Sequence, residues 1–195
     1  MALTFAHRVS ARRASLQDVN AIVRLLSGDH GLPPETAALV SASQAQLRLI
    51  LAHFGLETGK VWVAESGSGA PEAAAVWIPP GVSIDEEEHR ALLRLHGLRP
   101  TLMPARDHDG RIPGEEDHWL LAAVGIAPSA HPAALEAVLD PVLRIVDEAS
   151  LPAYATAPAS FQAELLAPFG FEPCASGAAR PEPRLRRPPK GAYGG

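Results

Sequence analysis

The run His118-Trp119-Leu120-Leu121-Ala122-Ala123-Val124-Gly125-Ile126 carries no polar side chain after its first residue, and Pro128 and Pro132 follow it closely. It is far too short to span a membrane and shows no polar/apolar alternation. It therefore reads as a strand covered on both faces. In the next segment, Ala133 to Ala149, the period changes: Leu135, Val138, Leu139, Val142, Leu143 and Val146 recur at helical spacing. A covered strand feeding an amphipathic helix is the building unit of an α/β sheet. Pro141 is the oddity of that helix, and its missing N–H predicts a kink or a division there.

The rest of the chain supplies partners for this unit. Val9 to Ala14 reads as a short first strand, and Ser15 as an N-cap with Asp18 three residues on, ahead of Val19, Ile22, Val23 and Leu26 at helical spacing. A second helix is expected over Glu35 to Phe54, with a break near Ser41, closed by Gly55 and Gly59. Lys60 to Glu65 and Ala73 to Ile78 flank a Gly/Ser turn and read as a β-hairpin. A third helix is expected over Ser83 to Leu98, then a long polar loop over Arg99 to Asp117. Pro152 to Thr156 reads as a strand, Ser160 to Leu166 as a helix, and Phe169-Gly170-Phe171-Glu172 as a turn into a last strand. Residues 1–176 are thus expected to form one domain. Residues 177–195, rich in Pro and Gly with Arg184, Arg186, Arg187 and Lys190 clustered, are expected to be a loose tail.

Composition narrows the function classes. A length of 195 residues suits one domain with a substantial core. The net charge of −5 argues against a protein whose main task is to hold nucleic acid. A single cysteine, Cys174, excludes an intramolecular disulfide and a Cys-rich zinc site. No apolar stretch approaches ~18 residues, so no membrane partner is expected. Met1 to Arg13 lacks a signal-peptide core, which makes the cytoplasm the default compartment. The Ala/Pro/Leu/Arg-rich, Lys-poor composition suits a GC-rich bacterial source.

Several short patterns occur together and in order: His118-Trp119-Leu120-Leu121, Val124-Gly125-Ile126-Ala127-Pro128, Ser150-Leu151-Pro152-Ala153-Tyr154-Ala155, Phe169-Gly170-Phe171-Glu172, and the hairpin strands Val61-Trp62-Val63 and Ala75-Val76-Trp77-Ile78. From roughly Val9 to Pro173 this order resembles the GNAT acetyltransferases. The resemblance implies an α/β GNAT acyltransferase fold, a central mostly antiparallel mixed sheet flanked by helices. It also implies transfer of an acetyl group from acetyl-CoA to a small-molecule amine, with a homodimer as a candidate assembly. In that family a glycine-rich turn before a helix lets bare backbone N–H groups surround the CoA pyrophosphate, and a splayed strand pairs with the pantetheine arm. Carried over, the cofactor-binding positions are Gly125, Ile126, His131, Ala134 and Leu135. The catalytic positions are His118 and Asp117, and the substrate-side positions are Trp119 and Glu116. No metal is implied.

The sequence departs from the family at the turn. Where Gln-Gly-x-Gly-x-Gly is expected stand His131-Pro132-Ala133-Ala134-Leu135-Glu136. Pro132 has no N–H, and a Glu136 carboxylate ~4 Å from a phosphate would repel it by up to about 4 kcal/mol at an effective dielectric of 20. The family's proton-donating Tyr falls at Leu166, and its CoA-contacting Asn at Gln162.

Each candidate also has a plainer reading. An imidazole can take a proton from an amine near neutrality, yet His118 also suits a structural hydrogen bond at a strand edge. Glu115 to Asp117 is either a solvated acidic loop or a lure for a cationic amine. Trp62, Trp77 and Trp119 suit core packing, and Trp119 also suits a cleft wall. His89 and His96 share a helix face, but no third ligand for a metal is evident. His131 and Glu136 are either a repurposed site or part of a closed, emptied loop. Two functions therefore stand: a CoA-dependent N-acyltransferase, or a GNAT-fold protein that no longer acetylates with CoA and serves as a biosynthetic enzyme or a ligand-binding or regulatory module.

Overall fold

The structure is a computed structural model, which describes residues 9–27, 44–67, 69–82, 86–98, 117–156, 160–174 and 184–190. Seven strands form one sheet: β1 (Ser10–Arg13), β2 (Lys60–Glu65), β3 (Pro71–Ile78), β4 (Trp119–Ile126), β5 (Ala153–Thr156), β6 (Glu172–Cys174) and β7 (Arg184–Arg187). Their spatial order is β1-β2-β3-β4-β5-β7-β6. All neighbours are antiparallel except β4 and β5. The helices are α1 (Val19–Ser27), α2 over residues 44–50, α3 (Glu86–Leu95), α4 (Ala133–Glu148) and α5 (Ser160–Leu166). A π-helical turn, Leu51–Gly55, ends α2. The expected loop over Arg99 to Glu116, the helix portion before residue 44 and the start of α3 at Ser83–Asp85 lie outside the described residues.

Period-two alternation sorts the sheet's side chains into two cores. On one face Val61, Val63, Ala74 and Val76 pack on Val19, Ile22 and Val23 of α1 and on Leu51. On the other, Ala64, Ala73, Ala75, Trp77, Trp119 and Leu121 meet the apolar stripe of α4 from Ala134 to Val146, and Leu166, Phe171 and Leu185 join them. Burial on both faces explains why β3 and β4 read as continuous apolar runs. Helix α4 is not divided at Pro141. A mid-helix proline costs roughly 3 kcal/mol, and the seven residues α4 buries on the sheet outweigh it, since tertiary packing carries most helical stability.

The expectation of a loose C-terminal tail is corrected at Arg184–Arg187. This segment is a strand inside the sheet, pairing β5 on one side and β6 on the other. Leu185 is buried, and so is Arg187, with its charge matched. Its Nη1 and Nη2 donate to Oδ1 and Oδ2 of Asp147 at 2.5 and 3.0 Å, and its Nε to the Phe169 carbonyl at 2.9 Å. Lys190 Nζ adds a second contact to Asp147 at 2.7 Å. Burial pushes the Asp147 carboxyl up, but the hydrogen bonds and charges of Arg187 and Lys190 outweigh it, and the net shift is downward.

A second charge network pins β1 to the start of α1. Arg12 donates to both oxygens of buried Asp18 at 2.7 and 2.8 Å and to Glu65 on β2, while Ser15 N–H and Oγ donate to Asp18 Oδ2 at 2.8 and 2.9 Å. Hydrogen bonds from Arg12, against the opposing effect of burial, and from Ser15 hold the Asp18 carboxyl well below the usual range. Stability from a depressed carboxyl is complete above its unfolded pKa and is lost as pH falls below it. We therefore expect stability to decline as pH drops below about 4, with a shallower acid limb in Asp18→Asn. Urea midpoints of both proteins between pH 7 and pH 3 test this, and parallel acid limbs would remove Asp18 as a contributor.

Candidate functional site

Strands β4 and β5 run parallel but stay together only briefly. Trp119 pairs with Ala153, Leu120 with Tyr154 and Leu121 with Ala155. β4 continues to Ile126, and among the described residues no strand covers its β5-facing edge from Ala122 onward. A β-bulge lies at this fork: Val76 pairs with Ala123 and Trp77 with Leu121, which leaves Ala122 as an extra residue on β4. The bulge also shifts the alternation by one residue. Leu121, Val124 and Ile126 consequently face the α4 core, and Ala122 and Ala123 the α1 core. The two strands thus fork after Leu121, and the N-terminus of α4 follows the free end of β4.

The turn between β4 and α4 uses most of its N–H groups internally. Ala127 N–H donates to the Glu72 carbonyl at 2.7 Å, Ala130 N–H to the Ala127 carbonyl at 3.0 Å, and Ala134 N–H to the His131 carbonyl at 2.8 Å. His131 N–H donates to Glu72 Oε2 at 3.0 Å, and Ala133 N–H to His131 Nδ1 at 3.1 Å. An imidazole thus caps α4 where Pro132 offers no side-chain cap, and a carboxylate takes an N–H that an incoming anion would use. Glu72 is itself held from the far side of the hairpin, where its Oε1 accepts from Ser66 Oγ. Neither Ser66, read from sequence only as part of the hairpin turn, nor Glu72 is evident as a partner of the β4–α4 turn. The available signal is that Glu72 is the sole charged residue of β3.

The sequence-predicted positions divide among three places. His131 belongs to the turn, with Ala134 and Leu135 following in α4. The side chains of Ala134 and Leu135 are buried in the α4 core, so only their backbone remains for a ligand. Gly125 faces α1, and a Cβ there would lie 2.4 Å from the Leu25 carbonyl oxygen and 2.9 Å from Leu26 N. It is where a helix backbone comes down onto the sheet, and its neighbour Ile126 packs toward α4. His118 and exposed Asp117 sit at the opposite, closed end of the β4–β5 pair. At ~3.3 Å per residue roughly 23 Å of strand separates His118 from Gly125, so the catalytic and cofactor positions are not brought together as one cluster. His118 meets Tyr154 edge-to-face, with ring centroids 5.0 Å apart. Tyr154 is thus a further side chain of this end, contributed by the neighbouring parallel strand. Trp119 is buried in the main core rather than lining a cleft. Leu166 is fully buried there as well, and Glu116 lies outside the described residues. Among the described residues no group of three or more His, Cys, Asp or Glu could hold a metal ion, and no helix is long and apolar enough to cross a membrane.

No family model matches the chain. Solved structures do. A Corynebacterium glutamicum protein described as histone acetyltransferase HPA2 and related acetyltransferase is 19% identical, with a TM-score of 0.62 over 93% of this chain and 96% of its own. The C-terminal condensation domain of Ebony, in complex with β-alanyl-dopamine, is 12% identical, with a TM-score of 0.55 over 92% of this chain and 97% of its own. The PaiA N-acetyltransferase from Thermoplasma acidophilum, in complex with coenzyme A, is 6% identical, with a TM-score of 0.54 over 93% of this chain and 99% of its own. The seven-stranded mixed sheet with its one parallel pair and the overall likeness to these proteins lead to one conclusion: this chain has the fold of the GNAT acetyltransferases.

Proposed function

We propose that the chain is an N-acyltransferase that moves an acyl group from a thioester to a small-molecule amine at the β4–β5 fork, with acetyl-CoA as the reference donor. One observation carries this reading: β5 leaves β4 after Leu121, at the bulge, and frees a strand edge whose backbone can pair with an extended donor arm. The amine nitrogen attacks the thioester carbonyl, the C–N bond forms and the C–S bond breaks. The amine's proton goes to a base and a proton returns to the departing thiolate. Backbone groups of β4, from Ala122 past the bulge to Gly125 and Ile126, are the candidates to polarise the carbonyl. His118, with Asp117 beside it and Tyr154 against its ring, is the candidate base only for an amine held near the Ala122 end of the fork, because a base must reach its proton directly or through one water and about 23 Å of strand separates His118 from Gly125. Acidic Glu116 and Asp117 would favour a cationic acceptor. A cytoplasmic setting and a homodimer belong to the same reading.

Loss of a general base costs about a hundredfold or more in turnover, so His118→Ala is expected to lower kcat/KM for the amine by that factor while leaving donor binding intact by calorimetry. Unchanged turnover in His118→Ala would remove its role as base. No transfer from any thioester to any amine in a broad screen would sink the acyltransferase reading. A second reading, a GNAT fold reused without acyl-CoA, is favoured by the internally bonded turn at Glu72 and His131. Calorimetric titration with acetyl-CoA separates the two.

A further inference from the structure

We infer that the acyl donor is a pantetheine thioester without the nucleotide end of CoA, and that Glu72 is the residue that sets this preference. The inference rests on the acyltransferase reading for its reaction and on the turn's geometry for its selectivity. A CoA donor needs two things from such a fork: a strand edge for the amide-bearing pantetheine arm, and bare N–H groups for the pyrophosphate. The first is present from Ala122 onward. In the second place, the N–H groups of Ala127, Ala130, His131, Ala133 and Ala134 all have acceptors within the protein, Pro128 and Pro132 have no N–H to give, and of residues 127–134 only Ser129 keeps an N–H for a ligand. The acceptor at His131 is the Glu72 carboxylate, which also accepts from Ser66. Glu136, exposed in the first turn of α4, adds another. A pyrophosphate would have to displace one carboxylate and approach a second. A pantetheine arm that ends before this turn meets neither.

The reaction balances without the nucleotide: acyl-S-pantetheine and an amine give the amide and free pantetheine thiol. Two sources present this chemistry, a free pantetheine thioester and the phosphopantetheine arm of a carrier protein, whose single phosphodiester carries less charge than a pyrophosphate.

The native protein is assayed with acetyl-CoA, acetyl-pantetheine and an acetylated holo carrier protein against one amine panel. The expected result is a kcat/KM for acetyl-pantetheine at least equal to that for acetyl-CoA, and no competition by adenosine 3′,5′-bisphosphate. Acetylated carrier protein tenfold better than acetyl-pantetheine would assign the source to a carrier, and equality would assign it to the free thioester. Like-charge contacts cost several kcal/mol, so Glu72→Gln, which removes the charge, is expected to raise the acetyl-CoA to acetyl-pantetheine ratio of kcat/KM about tenfold. Ser66→Ala, which removes the anchor, should move the ratio the same way if Glu72→Gln does not fold. A native preference for acetyl-CoA of tenfold or more, competition by the bisphosphate, or an unmoved ratio in both variants would overturn the inference. If no thioester supports transfer, the reaction itself has failed. Calorimetry then judges the donor preference alone: pantetheine binding as tightly as CoA upholds it, whereas tighter CoA binding, or no pantetheine binding, refutes it.

Discussion

Replacing Gly125 by alanine is expected to destabilise the protein by about 3 kcal/mol or more, the upper range for forcing a methyl group into filled space. The added Cβ would sit 2.4 Å from the Leu25 carbonyl oxygen, 2.6 Å from its carbon and 2.9 Å from Leu26 N. These are backbone atoms of a helix, so relief requires lifting α1 from β4 rather than turning a rotamer. For a chain of this size each kcal/mol lowers Tm by roughly 2–4 °C, so a loss of about 6 °C or more should be visible in thermal melts. Gly67→Ala is the control: nothing lies within 4 Å of its Cβ position, and an exposed change of this kind stays within about 0.5 kcal/mol. Equal stability of Gly125→Ala and the parent would refute the close approach of α1. The outcome also bears on the site, because a glycine required by packing needs no cofactor contact to explain it.

Arg187→Ala should rank next, at about 3 kcal/mol, because it removes two of the three cationic hydrogen bonds to a mostly buried Asp147 and leaves only exposed Lys190 beside it. Arg187 and Asp147 keep only 9% and 16% of their side-chain surface, and the same guanidinium also binds the Phe169 carbonyl. Asp147→Leu should cost a similar amount. The double variant, Arg187→Met with Asp147→Leu, should recover much of the loss, since well-packed apolar replacements of buried pairs are often near neutral. Urea midpoints of the parent, Arg187→Met, Asp147→Leu and the double variant close the cycle and give the coupling. Additive single losses would mean that the two residues do not support one another.

Much of the fold was legible because periodicity reports burial directly. The hairpin, the β4 run, the α4 stripe and the order of elements follow from where apolar residues recur, and the structure places each within a few residues of its expected span. β7 was hidden for the opposite reason. Arg184-Leu185-Arg186-Arg187 contains one apolar residue between prolines, and the charge that makes Arg187 tolerable inside comes from Asp147 on α4, far away in sequence. Pro141 misled in a similar way, because a local penalty was set against a burial term that the local sequence does not show. At the site, the loss of the turn glycines was readable, but what fills their place was not. Glu72 lies on a different strand, and only the β3–β4 register brings its carboxylate to His131. The bulge at Ala122 leaves no trace in an all-apolar run, yet it decides which side chains of β4 face which core.

The position of β7 also bears on how the protein comes into being. The last described strand to leave the ribosome occupies the slot between β5 and β6. Until it emerges, β5 presents unpaired N–H and C=O groups along its outer side and β6 has no neighbour in the sheet. A nascent chain at that stage carries an open strand edge beside a nearly finished core, the kind of template on which other chains pair and aggregate. Charge at Arg184 and Arg186 is well placed to keep the arriving segment soluble until it docks. Completion of the sheet therefore waits for residues 184–187, which follow every other described strand in the chain.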